Sequence, residues 1–149
     1  MSVPKCHGRR ADRTGRRYAA PVRALAAWLP AIVIAAIIFT LSAQANLRVT
    51  EGTLDLVLRK LAHMTVFGLL AAACLRGLTF HGVTGRTAIA AAGGIAFTYA
   101  ITDEFHQTFV SGRHGSPIDV AIDLAGIGLG LAVLAANPRL RARIAVAPA

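Results

Sequence analysis

The chain has 149 residues, 55% of them hydrophobic and only 15% charged, with a mean hydropathy of +0.57. A soluble domain carries roughly 25% charge, and each ion placed in hydrocarbon costs several kcal/mol, so this composition excludes an ordinary soluble fold. The length allows one domain. The net charge of +9 does not point to nucleic acid. Seven of the sixteen basic residues fall in the first 23 positions, and no basic stripe is interleaved with exposed aromatics. Such charge reports topology and contact with anionic lipid head groups. Cys6 and Cys74 are too few and too badly placed for a disulfide framework and read as free thiols.

In chain order, residues 1–21 are basic, rich in Arg and Gly and without apolar periodicity, which predicts a disordered tail. Nineteen uncharged residues run from Ala24 to Ser42, enough at about 1.5 Å each to cross roughly 30 Å of hydrocarbon. Pro30 is placed to kink this span, and Trp28 to sit in an interfacial belt. The basic start, the apolar run and Ala43-Gln44-Ala45 also resemble a signal peptide with its cleavage site. The length of both the basic region and the apolar run argues against cleavage. Leu54, Val57, Leu58 and Leu61 share one helical face, which predicts a short amphipathic surface helix over residues 46–60.

The second span, Leu61–Phe80, is the weakest, with His63 and Arg76 near its ends. The third runs from Thr87 to Thr102 and meets Asp103, Glu104, His106 and Gln107. The fourth, Ile118–Ala136, holds Asp119 and Asp123 in its first turns and is stopped by Asn137-Pro138. The expected fold is an all-α membrane protein of about four transmembrane helices, divided into the tail 1–21, a transmembrane domain 22–137 and a basic tail 138–149. With both termini cytoplasmic, twelve basic residues lie inside and four outside (Arg48, Arg59, Lys60 and Arg113), as the positive-inside rule requires. This places the chain in the inner membrane as a multi-pass protein.

That topology brings polar groups from three helices to one depth of the outer leaflet. Tyr99, Asp103 and either His106 or Gln107 recur on one face of the third span. Asp119 and Asp123 are four apart, with Gly126 and Gly130 continuing their face toward a close-packed neighbour. Carboxylates on that face point into the bundle and not at lipid. Asp103, Glu104, His63 and Asp123 are the candidates for acid–base work. Lys60, His106, Gln107, Arg113 and Asp119 are candidate binding residues, with Lys60 and Arg113 available as counter-ions or phosphate ligands. Taken singly each has a plainer role, such as an interfacial charge, a helix-dipole partner for Asp119 or a packing histidine. The cluster is the signal.

The stretch YAITDEFHQTFVSGRHGSPIDVAIDLAGIGLG, Tyr99–Gly130, closely resembles the signature region of VanZ-like membrane proteins. Leu41-Ser42-Ala43-Gln44 and Lys60-Leu61-Ala62-His63 leading into Phe67 agree with it, and the resemblance covers roughly residues 33–132. Where the family commonly has an aromatic-acidic pair after the His, Thr65–Gly68 offers no acid. The resemblance implies a cell-envelope role, since the family takes its name from a protein linked to low-level resistance to the glycopeptide teicoplanin.

Three functions remain open on the residues alone. One is an accessory envelope protein whose charge network binds a lipid head group or an envelope partner. Another is a membrane-embedded enzyme acting on a lipid-linked envelope precursor, its acids and His supplying acid–base catalysis or holding a divalent cation. The third is a proton-coupled carrier, which four spans serve poorly unless the chain oligomerises. No nucleophile motif, phosphate loop or ligand spacing such as His-x-x-x-His occurs, so no cofactor is expected. The expected partners are the bilayer and a lipid head group or lipid-linked precursor.

Overall fold

The computed structural model describes residues 13–44 and 52–145, with side chains from residue 21 onward. These residues form five helices and no strand: α1 (Arg13–Ser42), α2 (Thr53–Phe80), α3 (Gly85–Gln107), α4 (Pro117–Ala136) and α5 (Pro138–Ile144). The first four run alternately up and down. One end of the bundle therefore gathers the finish of α1 and α3 with the start of α2 and α4, and this end is called the mouth below. The chain is an all-α membrane protein. Three helical segments are long and apolar enough to cross a bilayer: Pro21–Ser42, Thr53–Phe80 and Pro117–Ala136. The expectation was four. α3 has spanning length, at 23 residues, but its uncharged run is only the sixteen residues Thr87–Thr102, bounded by Arg86 and by Asp103 and Glu104.

Two boundaries differ from the sequence reading. α1 begins at Arg13, inside the stretch expected to be tail, while residues 1–12 lie outside the described ones. No separate amphipathic helix starts the second span, because Thr53–Lys60 are the first turns of α2 itself. Nothing between Thr53 and Phe80 breaks a helix; there is no proline, and Gly68 and Gly77 sit at helix contacts. The charges of the first turns are paired internally, with Arg59 2.6 Å from the buried Asp55 one turn earlier. The apolar face expected to lie on the membrane, including Leu54 and Leu61, points outward from the bundle. The remainder of the stretch, residues 45–51, lies outside the described residues. At the far end, part of the expected tail forms α5, capped by the Asn137 side chain accepting from Leu140 N at 3.1 Å, with Pro138 in its first turn.

The helices pack through small residues, as bilayer association favours. α2 and α4 approach closest: a Cβ at Gly130 would lie 2.8 Å from the Gly68 carbonyl oxygen, and one at Gly126 would run into the Met64 backbone. Ala88, Ala92, Ala96 and Ala100 form the fully buried stripe of α3. The Tyr99 hydroxyl donates to the Ala35 carbonyl at 2.7 Å and ties α3 to α1.

Pro30 has no N–H, so the carbonyl one turn before it, Ala26, loses its helical donor. Arg76 of α2 supplies one, Nη1 donating to Ala26 O at 3.1 Å and Ala27 O at 3.3 Å. A carbonyl freed inside a bilayer must find such a partner, and here a neighbouring helix provides it. Trp28, placed by the sequence in an interfacial belt, packs its indole into the notch left by Gly77, where a Cβ would lie 2.6 Å from the ring.

Candidate functional site

At the mouth, Ser116 caps α4 by accepting from Ile118 N at 3.2 Å, and Pro117 occupies the first turn. This start sets Asp119 at the rim and Asp123 one turn deeper, where it is completely buried. α3 ends beside it with Asp103, Glu104 and Gln107 all buried. α2 contributes Arg59, Lys60 and His63 from its first turns. Together they enclose a cavity of about 320 Å³. Asp123, Glu104 and Gln107 form its most buried lining, while Arg59, Lys60, Arg113 and His114 border its more exposed part.

The acids are not treated alike. Asp119 is ion-paired with Lys60. Glu104 is held from two sides, accepting from Ser116 N at 2.9 Å and from Gln107 Nε2 at 3.0 Å. The same Gln107 nitrogen donates to Asp103 Oδ2 at 3.0 Å, while Asp103 Oδ1 finds no partner among the described residues. Asp123 has no hydrogen-bond partner on either oxygen among the described residues. Its nearest basic group is His63, with Nδ1 3.4 Å from Oδ1. Burying a carboxylate is costly unless it is paired, and His63 is the ion-pair partner of Asp123 among the described residues.

Most of the residues singled out in the sequence converge here: His63, Lys60, Glu104, Gln107, Arg113, Asp119 and Asp123 all line the cavity. Asp103 lies behind the lining and reaches it only through Gln107. His106 is not brought to the site; its ring stacks on Phe39 of α1 at 4.5 Å. Of the two alternatives on that helix face, Gln107 is therefore the inward one. Arg113 is no counter-ion for the acids in this arrangement. Its Nε donates to Gln44 O at 3.1 Å and its Nη2 to Leu41 O at 3.3 Å, satisfying carbonyls at the end of α1. Arg59 and His114, which are not among the site residues expected from the sequence, also border the cavity. The signal for Arg59 was its place beside Lys60 and four residues after Asp55.

The sequence model of the VanZ/LLP1 family matches residues 11–137, which include all four long helices from near the start of α1 and every residue of the cavity. The chain belongs to the VanZ/LLP1 family. Among curated proteins and among solved structures, no significant match was found. In this VanZ/LLP1 protein the signature stretch Tyr99–Gly130 supplies the end of α3, the loop and the start of α4. Those are the elements that set the buried acids, and the glycine seam of α4 holds them against α2. Phe67 and Gly68, one turn after His63 on α2, are buried packing residues.

Proposed function

We propose that this VanZ/LLP1 protein is a multi-pass inner-membrane protein of the bacterial envelope whose mouth faces outward and binds the phosphorylated head group of a lipid-linked envelope precursor. Four helices cross the bilayer and both termini are cytoplasmic, which agrees with the twelve-to-four distribution of basic residues. By engaging such a precursor the protein contributes to teicoplanin-type resistance, because that drug's target lies on the same side of the membrane. The observation that carries the reading is the cavity's border: Arg59, Lys60, Arg113 and His114 ring an opening of about 320 Å³ between apolar helices. Arg59, Lys60 and Arg113 each have a contact within the bundle but carry more N–H donors than that contact uses, and the remaining donors suit a phosphate on an apolar tail.

Native mass spectrometry of the protein in detergent, with farnesyl diphosphate and farnesol as probes, tests this. The diphosphate should bind at least about tenfold more tightly than the alcohol, the contribution of one charge-assisted hydrogen bond. The preference should fall in Lys60→Gln. Equal binding of the two probes would reduce the cavity to an apolar groove.

A membrane-embedded enzyme is the second reading, favoured by one observation: His63 lies 3.4 Å from the buried Asp123, an arrangement able to activate water. Release of inorganic phosphate from farnesyl diphosphate would establish the enzyme. Binding with no release would leave the accessory role.

A further inference from the structure

We propose that His63, Glu104 and Asp123 form a site for a divalent transition-metal ion of the Zn²⁺ or Mn²⁺ type at the bottom of the cavity. The three residues come from α2, α3 and α4, and each offers a ligand atom within 4.8 Å of the others. Convergence of acids alone would not make a site. The second observation is Asp123, fully buried, lining the cavity and without a hydrogen-bond partner on either oxygen among the described residues.

The nearby fixed cations are engaged elsewhere. Lys60 is on Asp119, Arg59 is on Asp55 and Arg113 is on the carbonyls of α1. Glu104 and Asp123 are thus two buried carboxylates facing one imidazole, a set whose charge a dication balances.

The spacing of His63 and Asp123 also suits a shared metal. The 3.4 Å from His63 Nδ1 to Asp123 Oδ1 exceeds good hydrogen-bond length. It is, however, close to the edge of a ligand tetrahedron with bonds of about 2.1 Å, which is about 3.4 Å. Glu104 is also pre-oriented as a ligand should be, its two oxygens fixed by Gln107 Nε2 and Ser116 N while spare lone pairs remain.

The donor set selects the ion. One imidazole and two carboxylates without a thiolate suit Zn²⁺ or Mn²⁺. The hard cations Mg²⁺ and Ca²⁺ prefer all-oxygen sites. Three protein ligands leave a coordination position toward the cavity, the arrangement of an exchangeable rather than a sealed structural site. Gln107 acts as a positioning residue, since it touches the ligand Glu104 and no reacting group.

The site does not depend on a lipid head group, and the test uses the metal alone. The full-length protein, with Cys6→Ser and Cys74→Ala so that thiols contribute nothing, is purified without a histidine tag and stripped with EDTA. It is then titrated with Mn²⁺, read by loss of the free-ion electron paramagnetic resonance signal, and with Zn²⁺, read by bound metal after desalting. One ion per chain is expected, with Mg²⁺ competing poorly. Asp123→Asn and His63→Gln should each weaken binding by roughly 100-fold or more, and Gln107→Leu by about 10- to 100-fold.

Thermal melting separates this site from a simple His63–Asp123 ion pair. With a metal site, Zn²⁺ raises the melting temperature of the parent protein but not of the two ligand variants, and in EDTA Asp123→Asn melts no lower than the parent. If instead Asp123→Asn melts lower in EDTA and Zn²⁺ moves nothing, the pair is a salt bridge and the proposal fails. It fails equally if binding survives both substitutions.

Discussion

The seam between α2 and α4 should control both stability and the site, and Gly126→Ala tests this with one methyl group. A Cβ at residue 126 would lie 2.6 Å from Met64 Cα and 2.7 Å from its carbonyl carbon, and nearer still to the carbonyl oxygen. Those atoms are backbone, so no side-chain rotation relieves the clash. Ordinary contact begins near 3.5 Å, so the helices must part by about 1 Å. Overpacking of this kind costs about 1–3 kcal/mol. The separation acts directly on the site, since His63 immediately precedes Met64 and Asp123 lies one turn before Gly126. The His63–Asp123 approach of 3.4 Å should open accordingly. Gly128→Ala is the matched control, since a Cβ there meets nothing within 4 Å. It should be neutral, or stabilising by up to about 1 kcal/mol through helix propensity. Reversible unfolding in bicelles by SDS titration measures both variants. Equal stability of the two would refute the claim that contact with the Met64 backbone sets the spacing of the helices.

Two further outcomes follow from the fold and its orientation. Arg76→Met should destabilise the protein by about 1.5–3 kcal/mol through loss of a charge-assisted hydrogen bond, and by much less in a Pro30→Ala background, where Ala26 O regains its helical donor; additive effects in this double-mutant cycle would show that Arg76 does not serve the freed carbonyl. In a cysteine-free background, Ser111→Cys should react with an impermeant maleimide in intact cells and Thr84→Cys should not; reversed labelling would turn the mouth toward the cytoplasm and remove the basis for an envelope substrate.

What was legible in the sequence was whatever a single helix encodes. Apolar runs mark α1, α3 and α4 to within a few residues at most ends, and Asn137-Pro138 marks the end of α4. The spacing of Asp123, Gly126 and Gly130 correctly put a buried carboxylate and a tight helix contact on one face. The start of α2 reads in the sequence as a surface helix because its charges suggest contact with water. Asp55 is in fact buried and paired to Arg59, which lets the helix continue inward. Periodicity could not choose between His106 and Gln107, adjacent residues of one turn; the choice is made by Phe39 of α1, which takes the imidazole. The contact of Arg113 with residues 41 and 44 spans some seventy positions and has no local signature. The grouping of His63 with Glu104 and Asp123 is equally non-local, and so no metal-ligand spacing announces it.

The disposition of the arginines explains why the buried acids are left in need of a partner. In a bilayer an uncompensated carbonyl is costly, as an uncompensated charge is. Arg76 serves the carbonyl freed by Pro30 at one end of the bundle, and Arg113 serves the last carbonyls of α1 at the other. Both are spent on backbone, where a planar fork of donors bridges neighbouring carbonyls better than a lysine could. The one lysine at the mouth is taken by the half-exposed Asp119. Glu104 is quieted by Gln107 and Ser116, neutral donors that orient its carboxylate without removing its charge. Asp123, the deepest of the four acids named for the site, therefore has only an imidazole for company. If the bundle needed that carboxylate only as packing, Asn would fill the same space without the charge penalty. Retaining an acid at the point where three helices converge makes sense when a cation from outside the chain completes the balance.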